Sequence, residues 1–224
     1  MTYEHPWRLR RAIALWAALG LAAFVLLPWY FLQSGSLWGA LPGIWAGPTT
    51  ASGWVQAWSH HRAWLLSGPV GLVLASAALL VPLQPRLQGL LLCGGALLGL
   101  VGLLLCGFAI GMVGWSWDWL QAVAGPTEWT QPGVGWGGFV TVLSLLALLS
   151  IGVARLGGFK GDAFVAGAVL GCAALLALFV VYPVIKSLLG SVLNDEGQFA
   201  ASALWQRIGT ARIWGLGLSL IHIS

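Results

Sequence analysis

Five stretches of this chain, each about 20 residues long, carry no charged side chain, and they decide what it can become. They cover residues 12–32, 64–83, 89–114, 137–154 and 163–185. A helix rises about 1.5 Å per residue, so about 20 apolar residues cross the hydrocarbon core of a bilayer. Of the 224 residues, 59% are hydrophobic and only 7% are charged, where a soluble domain is about 25% charged. Too little polar surface remains to face water, which excludes a soluble enzyme and a disordered chain. The 32 glycines follow no three-residue period, which excludes a collagen-like chain. The expected fold class is all-α: an integral membrane protein with about five transmembrane helices.

The first run is expected to remain as an uncleaved anchor. Arg8, Arg10 and Arg11 precede it, as in a signal peptide, but Pro28, Trp29, Tyr30 and Phe31 occupy the place of a small-x-small cleavage site. With the N-terminus inside, the inner segments hold Arg8, Arg10, Arg11, Arg86, Arg155 and Lys160, and the outer ones hold Arg62, Lys186, Arg207 and Arg212. The inner loops, residues 84–88 and 155–162, are short, and positive charge in short loops weighs most on orientation. Asp118, Glu128, Asp195 and Glu196 all fall outside. The N-terminus is therefore expected in the cytoplasm. The net charge of +4 is scattered singly or at the ends of apolar runs, not gathered into the basic stripe that nucleic-acid binding needs. The partner this pattern implies is the lipid bilayer.

Tryptophan is over-represented, with 15 copies. Trp38, Trp45, Trp54, Trp58 and Trp64 lie in or beside the first outer loop, and Trp115, Trp117, Trp119, Trp129 and Trp136 in or beside the second. Indole has an apolar body and one N–H donor and settles at the headgroup level, so these residues predict an aromatic belt. Trp54 and Trp58, four apart, are expected on one helical face. Gly95-x-x-x-Gly99, Gly107-x-x-x-Gly111 and Gly167-x-x-x-Gly171 place small residues one turn apart and predict close helix packing. Pro28 and Pro183 are each expected to kink or end a helix near the outer surface.

Tests for chemistry come out negative. Cys93, Cys106 and Cys172 lie inside apolar runs with no C-x-x-C pair, and are read as small buried hydrophobes. His60 and His61 form the sole histidine cluster, but adjacent histidines diverge on a helix and make a poor chelate. No phosphate-binding G-x-x-x-x-G-K-[ST] loop, H-E-x-x-H or G-x-S-x-G motif is present. No span carries a charge at its middle, which argues against a stand-alone proton-coupled pump. The expectation is a non-enzyme with no catalytic, cofactor-binding or metal-ligating residue.

One stretch carries more. Residues 177–186 read Ala-Leu-Phe-Val-Val-Tyr-Pro-Val-Ile-Lys, and residues 194–199 read Asn-Asp-Glu-Gly-Gln-Phe. This predicts a helix ending at a Tyr-Pro kink, an acidic turn, and a second amphipathic helix with Leu204, Trp205 and Ile208 on one side. The stretch, about a fifth of the chain, resembles the opening of a ferric-iron-type ABC transporter permease, on Tyr182, Pro183, Asp195, Glu196, Gly197 and Phe199. The resemblance implies a bacterial inner-membrane subunit that moves its substrate by alternating access. Its implied partners are a separate ATPase subunit, a periplasmic substrate-binding protein, and a second permease half or a further C-terminal part. Residues 1–162 would be a four-helix membrane extension. Residues 163–217 would open the permease domain, with a periplasmic amphipathic segment. The family's cytoplasmic Glu-Ala-Ala…Gly coupling loop has no match here, so no transport-path residue is carried over.

Residues 218–224, Leu-Ser-Leu-Ile-His-Ile-Ser, resemble the translation of a transposon-end sequencing adapter, so a truncated permease is expected. Two alternatives stay open: a small polytopic scaffold or assembly protein using the glycine faces and tryptophan loops, and a membrane redox protein using the cysteines or His60-His61.

Overall fold

A computed structural model describes residues 6–31, 43–45, 47, 50–81, 84–110, 115, 118–124 and 133–192. The described residues are helical apart from loops and three isolated backbone bridges. The helices are α1 (Pro6–Leu26), α2 (Gly53–Ser59), α3 (Ser67–Ser76), α4 (Pro85–Ala109), α5 (Asp118–Ala124), α6 (Trp136–Arg155), α7 (Ala163–Leu176) and α8 (Tyr182–Val192). Turns of 3-10 helix, Ala63–Leu66 and Ala77–Leu80, extend α3 at both ends, and a π turn, Ala177–Val181, joins α7 to α8. Among the described residues, five continuous helices are long and apolar enough to cross a membrane: Trp7–Leu26, Ala63–Leu80, Pro85–Ala109, Trp136–Arg155 and Ala163–Leu188. The chain divides into two compact units, Met1–Cys172 and Ala173–Ser224.

In the first unit α6 is the central helix. Over its most apolar stretch 61% is buried, against 33% for α1 and 28% for α4. The sequence explains this: Gly137, Thr141, Ser144, Leu145, Leu148, Ile151 and Gly152 recur at helical spacing and are all buried. α1 and α4 flank α6, and α3 lies across α4. Lipid is as apolar as leucine, so these contacts rest on close packing and helix–helix hydrogen bonds rather than on expulsion of water. Thr141 shows both: its Oγ1 donates to Gly137 O at 2.8 Å on its own helix and lies 3.3 Å from Gly20 O on α1.

Glycine sets the helix spacing. A Cβ on Gly20 would come within 2.7 Å of Leu72 Cδ1 and 2.9 Å of Ser144 Cβ, so α1, α3 and α6 converge there. At the α3–α4 crossing, a Cβ on Gly71 would lie 2.6 Å from Gly95 O and 2.7 Å from Gly99 Cα. The Gly95-x-x-x-Gly99 face is thus met by a third glycine from the preceding helix. Gly167 has only Ser150 nearby, Gly171 has nothing within 4 Å, and Gly111 lies outside the described residues.

The bundle runs up and down. The start of α6 meets the end of α1, since a Cβ on Gly137 would reach Leu27 O at 2.8 Å. The start of α3 meets α6 and the end of α4 through Gly68, beside Thr141 and Leu103. The start of α4 meets the end of α6 through Gly89, beside Leu156. Loops therefore alternate between the two ends of this unit.

Several boundaries differ from the sequence reading. α1 begins before the run at 12–32, because Arg8, Arg10 and Arg11 continue the helix, and ends at Leu26, two residues before Pro28. Residues 84–88 are not a loop: α4 starts at Pro85, where a missing N–H costs no helical hydrogen bond. Gln88, fully buried, turns its Nε2 to Ala78 O at 3.2 Å and satisfies a carbonyl at the end of the preceding span. Pro69 falls in the first turn of α3 for the same reason as Pro85.

Between α6 and α7 the backbone turns through left-handed Gly157, Phe159, Lys160 and Gly161. Asp162 then caps α7: its Oδ1 accepts hydrogen bonds from the N–H groups of Phe164 at 2.8 Å and Val165 at 3.3 Å. These bonds hold its carboxyl below the ordinary 3.8. A depressed carboxyl favours the folded cap above its unfolded pKa, and that contribution is lost as pH falls through the folded value. Asp162→Ala is expected to fray the first turn of α7 at neutral pH, and Asp162→Asn to keep it intact. Amide exchange at Phe164 and Val165, corrected for its intrinsic pH dependence, measures this.

The second unit is described from Ala173 to Val192. The helix does not close at Tyr182-Pro183 as expected: it runs on to Val192. Pro183 cannot donate to the carbonyl four residues earlier. The ladder widens just ahead of it, with Tyr182 N–H bonding Ala177 O, five residues back. The Asp195–Phe199 turn, the amphipathic helix beyond it and residues 218–224 lie outside the described residues.

Candidate functional site

The loop-rich end of the first unit holds its most unusual chemistry. Past α1, Pro28 and Tyr30 form isolated backbone bridges to Ser52 and Val134. Trp29 N–H donates to Ala51 O at 3.1 Å, and Phe31 N–H donates to Gly133 O at 2.7 Å. Gly135 N–H donates back to Trp29 O at 2.8 Å, and a side chain at Gly135 would strike Tyr30 O. Phe24 and Trp29 meet edge to face with centroids 5.3 Å apart, over Gly53 at the start of α2. These contacts hold α2 against the end of the bundle.

α2 is amphipathic. Val55, Gln56 and Ala57 are buried, while Trp54 and Trp58 are exposed, with ring centroids 5.8 Å apart. The shared indole face expected from their spacing is thus present. Trp45, Trp119 and Trp136 are exposed too, whereas Trp64 and Trp115 pack edge to face at 5.1 Å. Trp38, Trp117 and Trp129 lie outside the described residues.

After α2 the chain folds back on itself through His61, whose φ of 53° is in the left-handed region usual at a helix C-terminus. This turn returns Arg62 to Gln56. Arg62 N–H donates to Gln56 O at 3.1 Å, and Arg62 Nη1 donates to Gln56 Oε1 at 2.8 Å. The guanidinium lies over the Tyr30 ring, 4.8 Å from its centroid. Arg62 is 5% exposed, Tyr30 2% and Gln56 0%. The sequence reading places Arg62 in an outer loop. The fold buries it, because Tyr30 and Gln56 form a floor and a wall around it. No sequence signal singles it out, since an arginine bordering an apolar span ordinarily reads as a solvated anchor.

His60 and His61 sit in different surroundings. His61 is exposed, and His60 is partly buried with its Nε2 sealed from solvent. Burial, then the Arg62 charge, then His61 hold the His60 imidazole below its ordinary 6.5. A histidine with a lowered folded pKa favours the folded state when neutral. That contribution is complete above about pH 6.5 and is lost as pH falls through the folded value. The melting temperature is expected to drop between pH 7 and pH 5, and His60→Gln to flatten that drop.

Cys93 and Cys106 are partly buried and Cys172 is exposed; all three are free thiols. Cys106 Sγ donates to Gly102 O at 3.1 Å, one turn back on α4. Among the described residues, no three His, Cys, Asp or Glu side chains lie close enough to hold a metal ion. No protein-family model matches the chain, no curated protein is similar to it, and no solved structure matches it.

Proposed function

We propose that this chain is a membrane subunit of a binding-protein-dependent ABC importer, in which the first four spans precede a permease domain that opens with the fifth. The observation carrying this reading is the bareness of the fifth span. Along Ala163–Cys172, its part within the first unit, the sole buried residue is Ala166. Phe164, Val165 and Val169 are exposed there. The four spans before it bury glycine, serine and threonine against one another, while this one is apolar on every side. A helix apolar on every side suits a position among further membrane helices. Tyr182-Pro183 and the π turn before it add a local irregularity that membrane helices tolerate where neighbours or water satisfy the freed carbonyl.

On this reading the N-terminus is cytoplasmic, the α2 end faces outward in a bacterial inner membrane, and ferric iron is the cargo carried by the resemblance. A separate ATPase subunit drives alternating access, and an external binding protein delivers the substrate. The genomic locus and the membrane-extracted protein test this. The reading frame is expected to continue past codon 217 into further spans with a Glu-Ala-Ala…Gly loop, and the tagged product to co-purify with an ATPase subunit. A stop codon directly after Ser224, with the chain purifying alone, contradicts the proposal and favours a small scaffold.

A further inference from the structure

We propose that Arg62 anchors a binding site for a phosphate-type oxyanion at the loop-rich end of the four-helix unit. The inference is independent of the importer reading. Its basis is a buried charge with no counter-charge among the described residues. The Arg62 side chain is 95% buried by the fold, since 5% of it remains accessible. Burial of an ion is tolerated when an opposite charge and hydrogen bonds replace its water. Arg62 has one side-chain hydrogen bond, to the neutral Gln56 Oε1, and one aromatic face, Tyr30. Among the described residues no carboxylate lies within ion-pair distance of it. Gln56 Oε1 and a ring quadrupole supply partial negative charge but no whole one.

The guanidinium also has donors to spare. It carries five N–H groups in a planar fork that matches two oxygens of a phosphate or carboxylate. One Nη1 N–H is engaged by Gln56 Oε1. Gln56 and Tyr30 hold the fork in place before any ligand arrives, which lowers the ordering cost of binding.

Placement selects the class of anion. Arg62 immediately precedes the span Ala63–Leu80, so the guanidinium lies at the end of a membrane helix, where lipid phosphates are concentrated. Trp54 and Trp58, on α2 shortly before Arg62 in the chain, expose their indoles, as residues at headgroup depth do. A lipid phosphodiester and free inorganic phosphate present the same oxygens to this fork.

The test is the thermal midpoint of the purified full chain in a non-ionic detergent, with three additions at equal ionic strength: inorganic phosphate, phosphatidylglycerol in mixed micelles, and sodium chloride. The expected result is a rise on the order of 5 °C with a phosphate-bearing addition and none with chloride. A response to phosphatidylglycerol alone identifies a lipid site, and a response to inorganic phosphate as well identifies a site for the free anion. Arg62→Met should abolish the rise. Should that variant fail to fold, Gln56→Glu provides the second arm: it places a carboxylate 2.8 Å from Arg62 Nη1 in nearly the same volume. Gln56→Glu should melt higher than the parent without additions and gain nothing from phosphate. A parent that responds to neither phosphate source, or a Gln56→Glu chain that responds as strongly as the parent, overturns the proposal.

Discussion

Gly95→Leu is expected to dismantle the four-helix unit, while Gly94→Leu, one residue away, leaves it intact. At Gly95 even a Cβ would strike the backbone nitrogen of Ala75 and come within 2.7 Å of Gly71 O. The obstructing atoms are main chain on both sides, so no rotamer change relieves the clash and the two helices must separate. Overpacking a tight site costs about 1–3 kcal/mol where side chains can yield. Here they cannot, and about 3 kcal/mol or more is expected, with loss of the α3–α4 contact. Gly94 points away and a Cβ there meets nothing within 4 Å. Leucine at that position joins Leu90, Leu97 and Leu98, which are already exposed on α4. Denaturation of the two variants in detergent, followed by tryptophan fluorescence, separates a specific crossing from a general tolerance of apolar residues.

Gln56→Leu is the second substitution with a large effect. It removes the acceptor of a charged hydrogen bond and leaves Arg62 buried with only the Tyr30 face. Hydrogen bonds to charged groups contribute about 1.5–3 kcal/mol, and an orphaned buried charge adds to that, so a loss of about 2–3 kcal/mol is expected. Arg62→Met should cost less, because it removes the desolvated charge together with the bond. The double variant Gln56→Leu, Arg62→Met should then be more stable than Gln56→Leu alone. That ordering in equilibrium denaturation distinguishes a buried charge held by its acceptor from a surface pair, for which both single changes would lie near zero.

These two predictions mark what a one-dimensional reading reaches. The five spans are legible because an apolar run of membrane length has one inexpensive solution in lipid, a helix. Gly95 and Gly99 are legible because small residues one turn apart make a flat face. That Gly71 meets this face is not, because helix pairing depends on three-dimensional registry between two separate helices. Gln88 is hidden for a different reason: its partner is a main-chain carbonyl, Ala78 O, which no sequence pattern displays. The Arg62 site assembles Tyr30 from beyond α1 with Gln56 from α2 through a left-handed turn at His61. An arginine bordering a span reads as a solvated anchor until the fold covers it.

Pro183 shows the reverse limit. A proline in an apolar run reads as the end of a helix, yet the π turn at Ala177–Val181 shifts the hydrogen-bond ladder and lets the helix continue to Val192. The Tyr-Pro pair therefore sits inside a continuous helix, not at its exit.

The importer reading meets its most direct test in cells. Uptake of radiolabelled ferric iron should be measured in the native host, in a strain deleted for the locus, and in that strain with the complete reading frame restored. The account predicts that deletion abolishes energy-dependent uptake and that restoration recovers it. Unchanged uptake in the deleted strain, with no other iron importer induced, would contradict it.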